Sequence, residues 1–571
     1  MIHVTNTISC ICYLWCAHSK YYNMIETAKQ PLPPAKTVQE LPSSLQYIVQ
    51  SLEKERDLRP ADMRRIVLQA KVEQEDIAPW ADYHHSPADS YGRRLIYEGQ
   101  NFEVMAMSWC PGDFSGIHDH GYTEWGAVQV FGPAEHATFR IEEGRMSTLS
   151  RFQFTPGEVV GVSHALIHQM GNPTDQPFLT LHVYGRPTAI DNVTGDARVY
   201  DLENDKIQRV DGGVFFALPE REIKWTEEGP TADFPTRLRY RVELARRLQA
   251  MAEAGLEGAA DQLEAVRQRL YSTAEQDALL QCLAAHTDEH GHQQHSAYWR
   301  NLNQELQAAA ALQGEQEEGD HFHKYAELYD ALICQPCLDD FIAGGLRFFK
   351  EQHVTDFSDK RLLSIGAGTG LVERYIIDEL GLPYEQLLGM DLSVAMVEEA
   401  RRRIRAEQGD ILAFDADGKQ WDIAFTGLNV FHYLPGDRLR EAIEKTAALV
   451  KPGGFFFGDF ITPDHIRWYP NVMYSADRSI ISLRTPRLIE EEGRMYQESE
   501  ILNVQFADGR MALNYAGRHK RFLPPLHRVR TYFEQAFGGA VQLFDAHSLA
   551  VIPESADSCP STRYFVLARK R

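Results

Sequence analysis

The chain has 571 residues, 44% of them hydrophobic, and a formal net charge of −23. At about 150 residues per domain, this length predicts two to four domains, each able to bury a core. The acidity excludes a nucleic-acid surface, which needs clustered Lys and Arg, and is read as a solubility feature. No apolar run reaches the roughly 18 residues of a membrane span, so no membrane partner is expected. The eight cysteines follow no disulfide-framework spacing, which points to a reducing, cytoplasmic compartment. Cys334 and Cys337 form one CxxC, and no second pair completes a zinc site.

Residues 1–43 read as a disordered N-terminal extension. Residues 1–23 lack the basic segment and cleavage site of a signal peptide, and Met24 opens a more typical sequence. From 44 to 79, "LQYIVQSLEKERDL" and "PADMRRIVLQAKV" carry helical periodicity. From 91 to 225, short runs such as "FEVMAMSWC", "GAVQVF" and "FLTLHVYG" alternate with Gly, Pro, Asn and Asp, predicting an all-β barrel or sandwich. This domain is bounded at 44–228. Residues 229–318 read as a helical spacer, in which "HTDEHGHQQH" at 286–295 is a solvated linker rather than a second metal site. From 319 to 571, strands such as "RLLSIGAG" and "WDIAFTGL" alternate with helices, predicting a parallel sheet covered on both faces.

The stretch "GIHDHGYTEWG" at 116–126 carries the first constellation. In a strand, His118 and His120 share a face and can bind one metal together. His168 is the preferred third ligand, with His164 the competitor. Gly112, five residues before His118-x-His120, and His168-x3-Asn172 follow the two halves of the cupin pattern. Roughly residues 45–220 resemble the cysteine dioxygenase family of thiol dioxygenases. The likeness rests on "SGIHDH", on "HQMGNPTDQPFLTLHVYGRP" with His182 and Tyr184, and on "YGRRLIYEG" with Tyr91 and Arg93.

That resemblance implies a cupin barrel in which His118, His120 and His168 hold Fe(II) and leave room for O2 and a thiol. It implies that Arg93 pairs with a substrate carboxylate, which a guanidinium fork matches with two hydrogen bonds. Tyr184 would donate a hydrogen bond beside the iron, with His182 behind it. Animal members cross-link a cysteine to the active-site tyrosine. The equivalent position here is Trp125 or Gly126, and neither forms a thioether. Glu124 stands where other cupins place a carboxylate ligand, so a His3–Glu site is the alternative.

"LLSIGAGTG" at 362–370 is an apolar strand entering a glycine-rich turn. Gly366, Gly368 and Gly370 allow close approach of backbone to a ligand at a helix N-terminus, and Asp391 ends the next strand. A dinucleotide site fits these residues alone. The wider region resembles the class I S-adenosylmethionine-dependent methyltransferases through "GMDLSVAMVEEARRR", "QGDILAFD", "WDIAFTGLNVFHYL" and "LVKPGGFFFGDF". The resemblance implies a Rossmann-like fold, with Asp391 on the ribose and Asp410 near the adenine amine. "HFHKYAELYD" upstream resembles the helix that closes over the cofactor, and His432 is either a general base or a packed loop histidine.

The whole predicts a bifunctional enzyme: O2 insertion into the thiol of cysteine or a cysteine-derived small molecule, and methyl transfer from S-adenosylmethionine to the same or a related molecule. The alternative is a metal-binding or sensor cupin fused to a small-molecule methyltransferase.

Overall fold

The computed structural model describes residues 31–313, 322 and 326–571, Pro435 excepted. The chain divides into two compact units, Met1–Leu270 and Tyr271–Arg571. Among the described residues no helix is long and apolar enough to cross a membrane. Of the expected disordered extension, residues 1–30 lie outside the described residues. The rest is tied down: Leu32 N–H donates to Pro79, Ala35 N–H donates to Ile96, and Leu41 is buried.

The first unit opens with helices α1 (Ser43–Lys54) and α2 (Pro60–Ala70). Leu45, Ile48, Val49 and Leu52 fall at helical spacing and are all buried. They cover a five-stranded sheet ordered β1-β2-β9-β4-β7, formed by Gly92–Glu98, Phe102–Trp109, Phe178–Gly185, Trp125–Val130 and Val159–Ser163. Every residue of β2, β4 and β9 is buried, because both faces of this sheet are covered. On β9, Leu179, Leu181 and Val183 join the core under the helices, and the two-residue period turns Thr180, His182 and Tyr184 the other way.

An eight-stranded sheet is ordered β12-β11-β10-β3-β8-β5-β6-β13. Its inner members are β10 (Ala197–Asp201), β3 (Ile117–His118), β8 (Ile167–Gly171), β5 (Glu135–Glu142) and β6 (Arg145–Gln153). Its edges are β11 (Lys206–Val210) with β12 (Trp225–Glu228), and β13 (Thr231–Ala232). The region is β-rich as its turn-punctuated sequence predicts.

The stretch read as a spacer falls in both units. Helices α3 (Phe234–Glu253) and α4 (Ala259–Leu270) pack in the first, where buried Arg239 pairs with Glu135 and Glu243. Helices α5 (Gln276–His286) and α6 (Ser296–Gln313) belong to the second, where Gln313 donates to Met511 and Asn303 to Thr485. Helical periodicity showed the helices but not the partners that their polar side chains would find.

The second unit holds a seven-stranded sheet ordered β16-β15-β14-β17-β18-β24-β23. Strands β14 (Leu362–Ile365), β15 (Leu387–Asp391), β16 (Ala406–Gln408), β17 (Trp421–Thr426) and β18 (Val450–Ile461) run parallel. Strands β23 (Val541–Asp545) and β24 (Arg563–Arg569) close one edge antiparallel. Ile423 and Phe425 point into one core and Ala424 into another, so both faces of the sheet are covered as expected.

A four-stranded antiparallel sheet was not anticipated. It comprises β19 (Val472–Tyr474), β20 (Ile480–Glu491), β21 (Arg494–Ala507) and β22 (Arg510–Phe522). Its hairpins turn at Glu492-Gly493 and Asp508-Gly509, all four residues with positive φ. Acid–glycine pairs of this kind are a two-residue hairpin signal.

Candidate active sites

In the first unit, the β3–β8 register sets His118 directly opposite His168, and His120 follows in the turn after β3. One ring nitrogen from each lies within 4.8 Å of the other two, and all three side chains are buried. His120 Nε2 and His168 Nε2 are 3.1 Å apart. His118 Nδ1 is 2.8 Å from the Gly116 carbonyl, which only accepts, so Nδ1 donates and Nε2 keeps its lone pair. Burial holds His118 down at about 4, and holds His120 and His168 well below the ordinary histidine value. Three neutral imidazoles converging on one point fit an Fe(II) ion.

The acid between the histidines is committed to another partner. Asp119 pairs with Arg198 and accepts the N–H groups of Gly121 and Arg198, pinning the turn to β10. His164 stands apart from the cluster, 3.2 Å from the Thr123 carbonyl. Glu124 is half exposed beside Arg186 at 3.6 Å and is not among the clustered groups, so the His3–Glu alternative has no carboxylate in place. His136 on β5 was missed. Its Nε2 lies 2.8 Å from His168 Nδ1 and orients that ring. In sequence it is a lone histidine in a strand, with no spacing to mark it.

Tyr91, Arg93, His118, His120, His168, His182 and Tyr184 line one cavity. A relay reaches Tyr184 from behind. Trp109 Nε1 donates to Thr180 Oγ1 at 2.9 Å, Thr180 Oγ1 lies 2.7 Å from His182 Nε2, and His182 Nδ1 lies 2.8 Å from the Tyr184 hydroxyl. Thr180 can accept the indole N–H and still donate its own proton to His182 Nε2, and in that tautomer Nδ1–H goes to the Tyr184 oxygen. The tyrosine proton is thereby left to point into the cavity. Burial raises the Tyr184 phenol above its ordinary value, keeping it protonated. Tyr184 stands opposite Gly126, where a Cβ would lie 2.6 Å from the tyrosine ring. Trp125 joins the core beneath the helices, so Gly126 is the residue that faces the tyrosine. Arg93 is three-quarters buried and donates to Thr194 at 2.9 Å, with Glu103 at 3.7 Å. Tyr91 stacks on Trp109, and its hydroxyl accepts the Val214 N–H at 3.0 Å.

In the second unit, Gly366, Gly368 and Gly370 all adopt positive φ between β14 and the short helix Leu371–Tyr375. A Cβ at Gly366 would lie 2.5 Å from Val430. Asp391 Oδ2 accepts the Gly368 N–H at 2.9 Å, and Asp391 O accepts the Gly409 N–H at 2.9 Å. Asp410 follows at once and caps the Leu412 N–H. All five predicted residues thus meet at the carboxyl ends of β14, β15 and β16, beside the point where strand order reverses between β14 and β17. Asp330 receives the Thr369 hydroxyl and pairs with Arg403 at 2.7 Å, clamping the glycine loop from outside; sequence reading passed over it. Of the upstream "HFHKYAELYD" segment, residues 321 and 323–325 lie outside the described residues, and Ala326–Tyr329 is helical.

His432 is a packed loop histidine. Its Nδ1 donates to the Phe522 carbonyl at 2.5 Å, its Nε2 accepts the Ile461 N–H at 3.0 Å, and burial lowers it to about 3. With both nitrogens committed, it has no lone pair for a substrate proton. The exposed neighbour Tyr433 instead lies 3.3 Å from His519 Nδ1. Among the described residues, neither the 286–295 histidines nor Cys334 and Cys337 form a metal-holding group.

Residues 363–456 match a family model described as a methyltransferase domain. A hybrid PKS-NRPs synthetase, opdA, from Penicillium oxalicum (strain 114-2 / CGMCC 5302) is 27% identical over 130 residues, 21% of this chain. The chain spans 3% of the length of that curated relative. A solved S-adenosylmethionine-dependent methyltransferase from Clostridium acetobutylicum ATCC 824 is 16% identical, covering 44% of this chain and 98% of its own, with a TM-score of 0.35. DesVI of Streptomyces venezuelae is 18% identical, covering 45% of this chain and 100% of its own, with a TM-score of 0.33. The family match and the strand order mark the second unit as carrying a methyltransferase domain with the Rossmann-like class I fold.

Proposed function

We propose that the chain is a bifunctional enzyme. Its first unit acts as a cupin-type thiol dioxygenase on cysteine or a cysteine-derived thiol. Its second unit transfers a methyl group from S-adenosylmethionine to the same or a related small molecule. The observation that carries the oxidative half is the convergence of three buried neutral histidines beside the Tyr184 hydroxyl. His118, His120 and His168 would hold Fe(II), which supplies a site for O2 and thiol when bound. Arg93 offers a substrate carboxylate its fork, and Tyr184 offers a hydrogen bond in the tautomer where His182 Nδ1 donates to it. The reaction takes RSH and O2 to RSO2− and H+, so both oxygen atoms end on sulfur.

The methyl-transfer half rests on the family match and on the glycine loop, Asp391 and Asp410 gathered at one strand edge. In-line positioning on the sulfonium methyl carries much of the rate of such a reaction, so few side chains need to do chemistry. The test is mass spectrometry of products from iron-loaded protein given L-cysteine, S-adenosylmethionine and labelled O2. A product with two labelled oxygens and an added methyl is expected. Unchanged cysteine from protein that holds iron would overturn cysteine as the substrate.

A further inference from the structure

Arg521 on β22 is a part-buried cation whose neighbours are phenols. Its Nε and Nη2 donate to the Tyr433 hydroxyl at 3.4 and 3.3 Å. Its guanidinium lies 5.5 Å from the Tyr433 ring centre and 5.6 Å from that of Tyr469. Tyr329 is the third phenol near it. Among the described residues no carboxylate pairs with it. Two buried arginines of this chain are answered by acids, Arg239 by Glu135 and Glu243 and Arg563 by Asp459, whereas Arg530 is answered by the Ile552 and Pro553 carbonyls. A guanidinium partly withdrawn from water without a counter-charge carries a desolvation cost, and the cost falls when a ligand brings the anion.

Its location says which ligand. Tyr433 ends the turn that follows β17. Tyr329 lies next to the glycine loop, its Cε1 3.9 Å from where a Cβ on Gly368 would stand. Arg521 is therefore one aromatic ring away from the residues assigned to the cofactor. Tyr433 takes hydrogen bonds from Arg521. His519 Nε2 is 3.0 Å from the Ala516 carbonyl and so donates there, which leaves Nδ1 to accept the Tyr433 proton. The phenol is thus held, Tyr469 takes a further hydrogen bond from Arg521, and the remaining guanidinium N–H groups are left for an oxyanion.

We propose that Arg521, framed by Tyr433 and Tyr469, is the receptor for an oxyanion carried by the methyl acceptor, a carboxylate or a sulfinate. This rests on the methyl-transfer reading above, and it narrows the acceptor to a small acid. The receptor is a positioning element: it orients the acceptor and takes no part in bond making.

The experiment uses the full chain in an Arg93→Gln background, so that the first unit's cavity does not add to the signal. Calorimetry measures S-adenosylhomocysteine affinity. Saturation-transfer NMR then follows methanesulfinate, acetate and methylammonium titrated into the S-adenosylhomocysteine-loaded protein. Saturable binding of the oxyanions and none of methylammonium is expected, and the tighter oxyanion identifies which group the acceptor presents. Arg521→Gln should weaken oxyanion binding about 30-fold, with Arg521→Lys recovering part of it and cofactor affinity within about twofold. Unchanged oxyanion affinity in Arg521→Gln with cofactor binding intact, or equal binding of methylammonium, overturns the proposal alone. Failure of wild-type protein to bind S-adenosylhomocysteine sinks the methyl-transfer reading, and the acceptor role with it.

Discussion

The first unit builds its site from side chains, and the second builds its site largely from backbone. His118, His120, His168, His182 and Tyr184 are all buried, and each ring is aimed by a partner or by strand register. Around the glycine loop the contacts are N–H groups of Gly368, Gly409 and Ser393 closing on one aspartate. The difference follows the chemistry each site is suited to. A metal needs fixed lone pairs at one point, and only side chains supply them. A cofactor lying along a strand edge needs room and a close main chain, which glycines with positive φ provide.

The largest expected effect comes from breaking the side-chain site. His168→Ala should reduce bound iron from about one ion per chain to less than one tenth, as metal analysis would read, since it removes one of three ligands. S-adenosylhomocysteine affinity should not move. Coupled loss of both would contradict two independent sites.

Breaking the backbone site comes next. Gly366→Ala places a Cβ 2.5 Å from Val430 at a φ of 69°. It should weaken S-adenosylhomocysteine at least tenfold by calorimetry, with iron content unchanged. Equal affinity would mean that the loop does not approach the cofactor.

The smallest effect is on stability, and it sharpens the contrast because a side chain is involved. Glu373 is buried and accepts the Ser364 hydroxyl at 2.6 Å, and burial raises its carboxyl to about 7. A raised folded pKa favours the neutral acid, so its contribution is full below the unfolded value near 4.5 and is lost as pH rises through about 7. Denaturation between pH 5 and 8 should show the second unit losing on the order of 3 kcal/mol. Glu373→Gln should flatten that slope. An unchanged slope would assign it to another group.

Much of this was legible before any coordinates. The likeness carried by "HQMGNPTDQPFLTLHVYGRP" marked His182 and Tyr184, and glycine spacing marked the cofactor loop, because both lie in short local stretches. What escaped was set by partners far along the chain. His136 matters only because β5 lies beside β8, and Arg239 only because Glu135 and Glu243 wait for it. His432 looked available in sequence, and it is consumed by Phe522 and Ile461, residues 90 and 29 positions away. The hairpins of β20–β22 were readable in their Glu-Gly and Asp-Gly turns and went unread amid a helix-and-strand alternation. The boundary inside the helical stretch depends on packing, which periodicity does not report.

Gly126 carries a consequence for the life history of the enzyme. A residue with no sulfur opposite Tyr184 means that the tyrosine is never tied covalently to its neighbour. Its aim depends on hydrogen bonds that form as the chain folds. On the proposed reading, newly made protein needs no oxidative maturation. Progress curves should begin without a lag, and batches exposed to substrate and oxygen for different times should behave as one species.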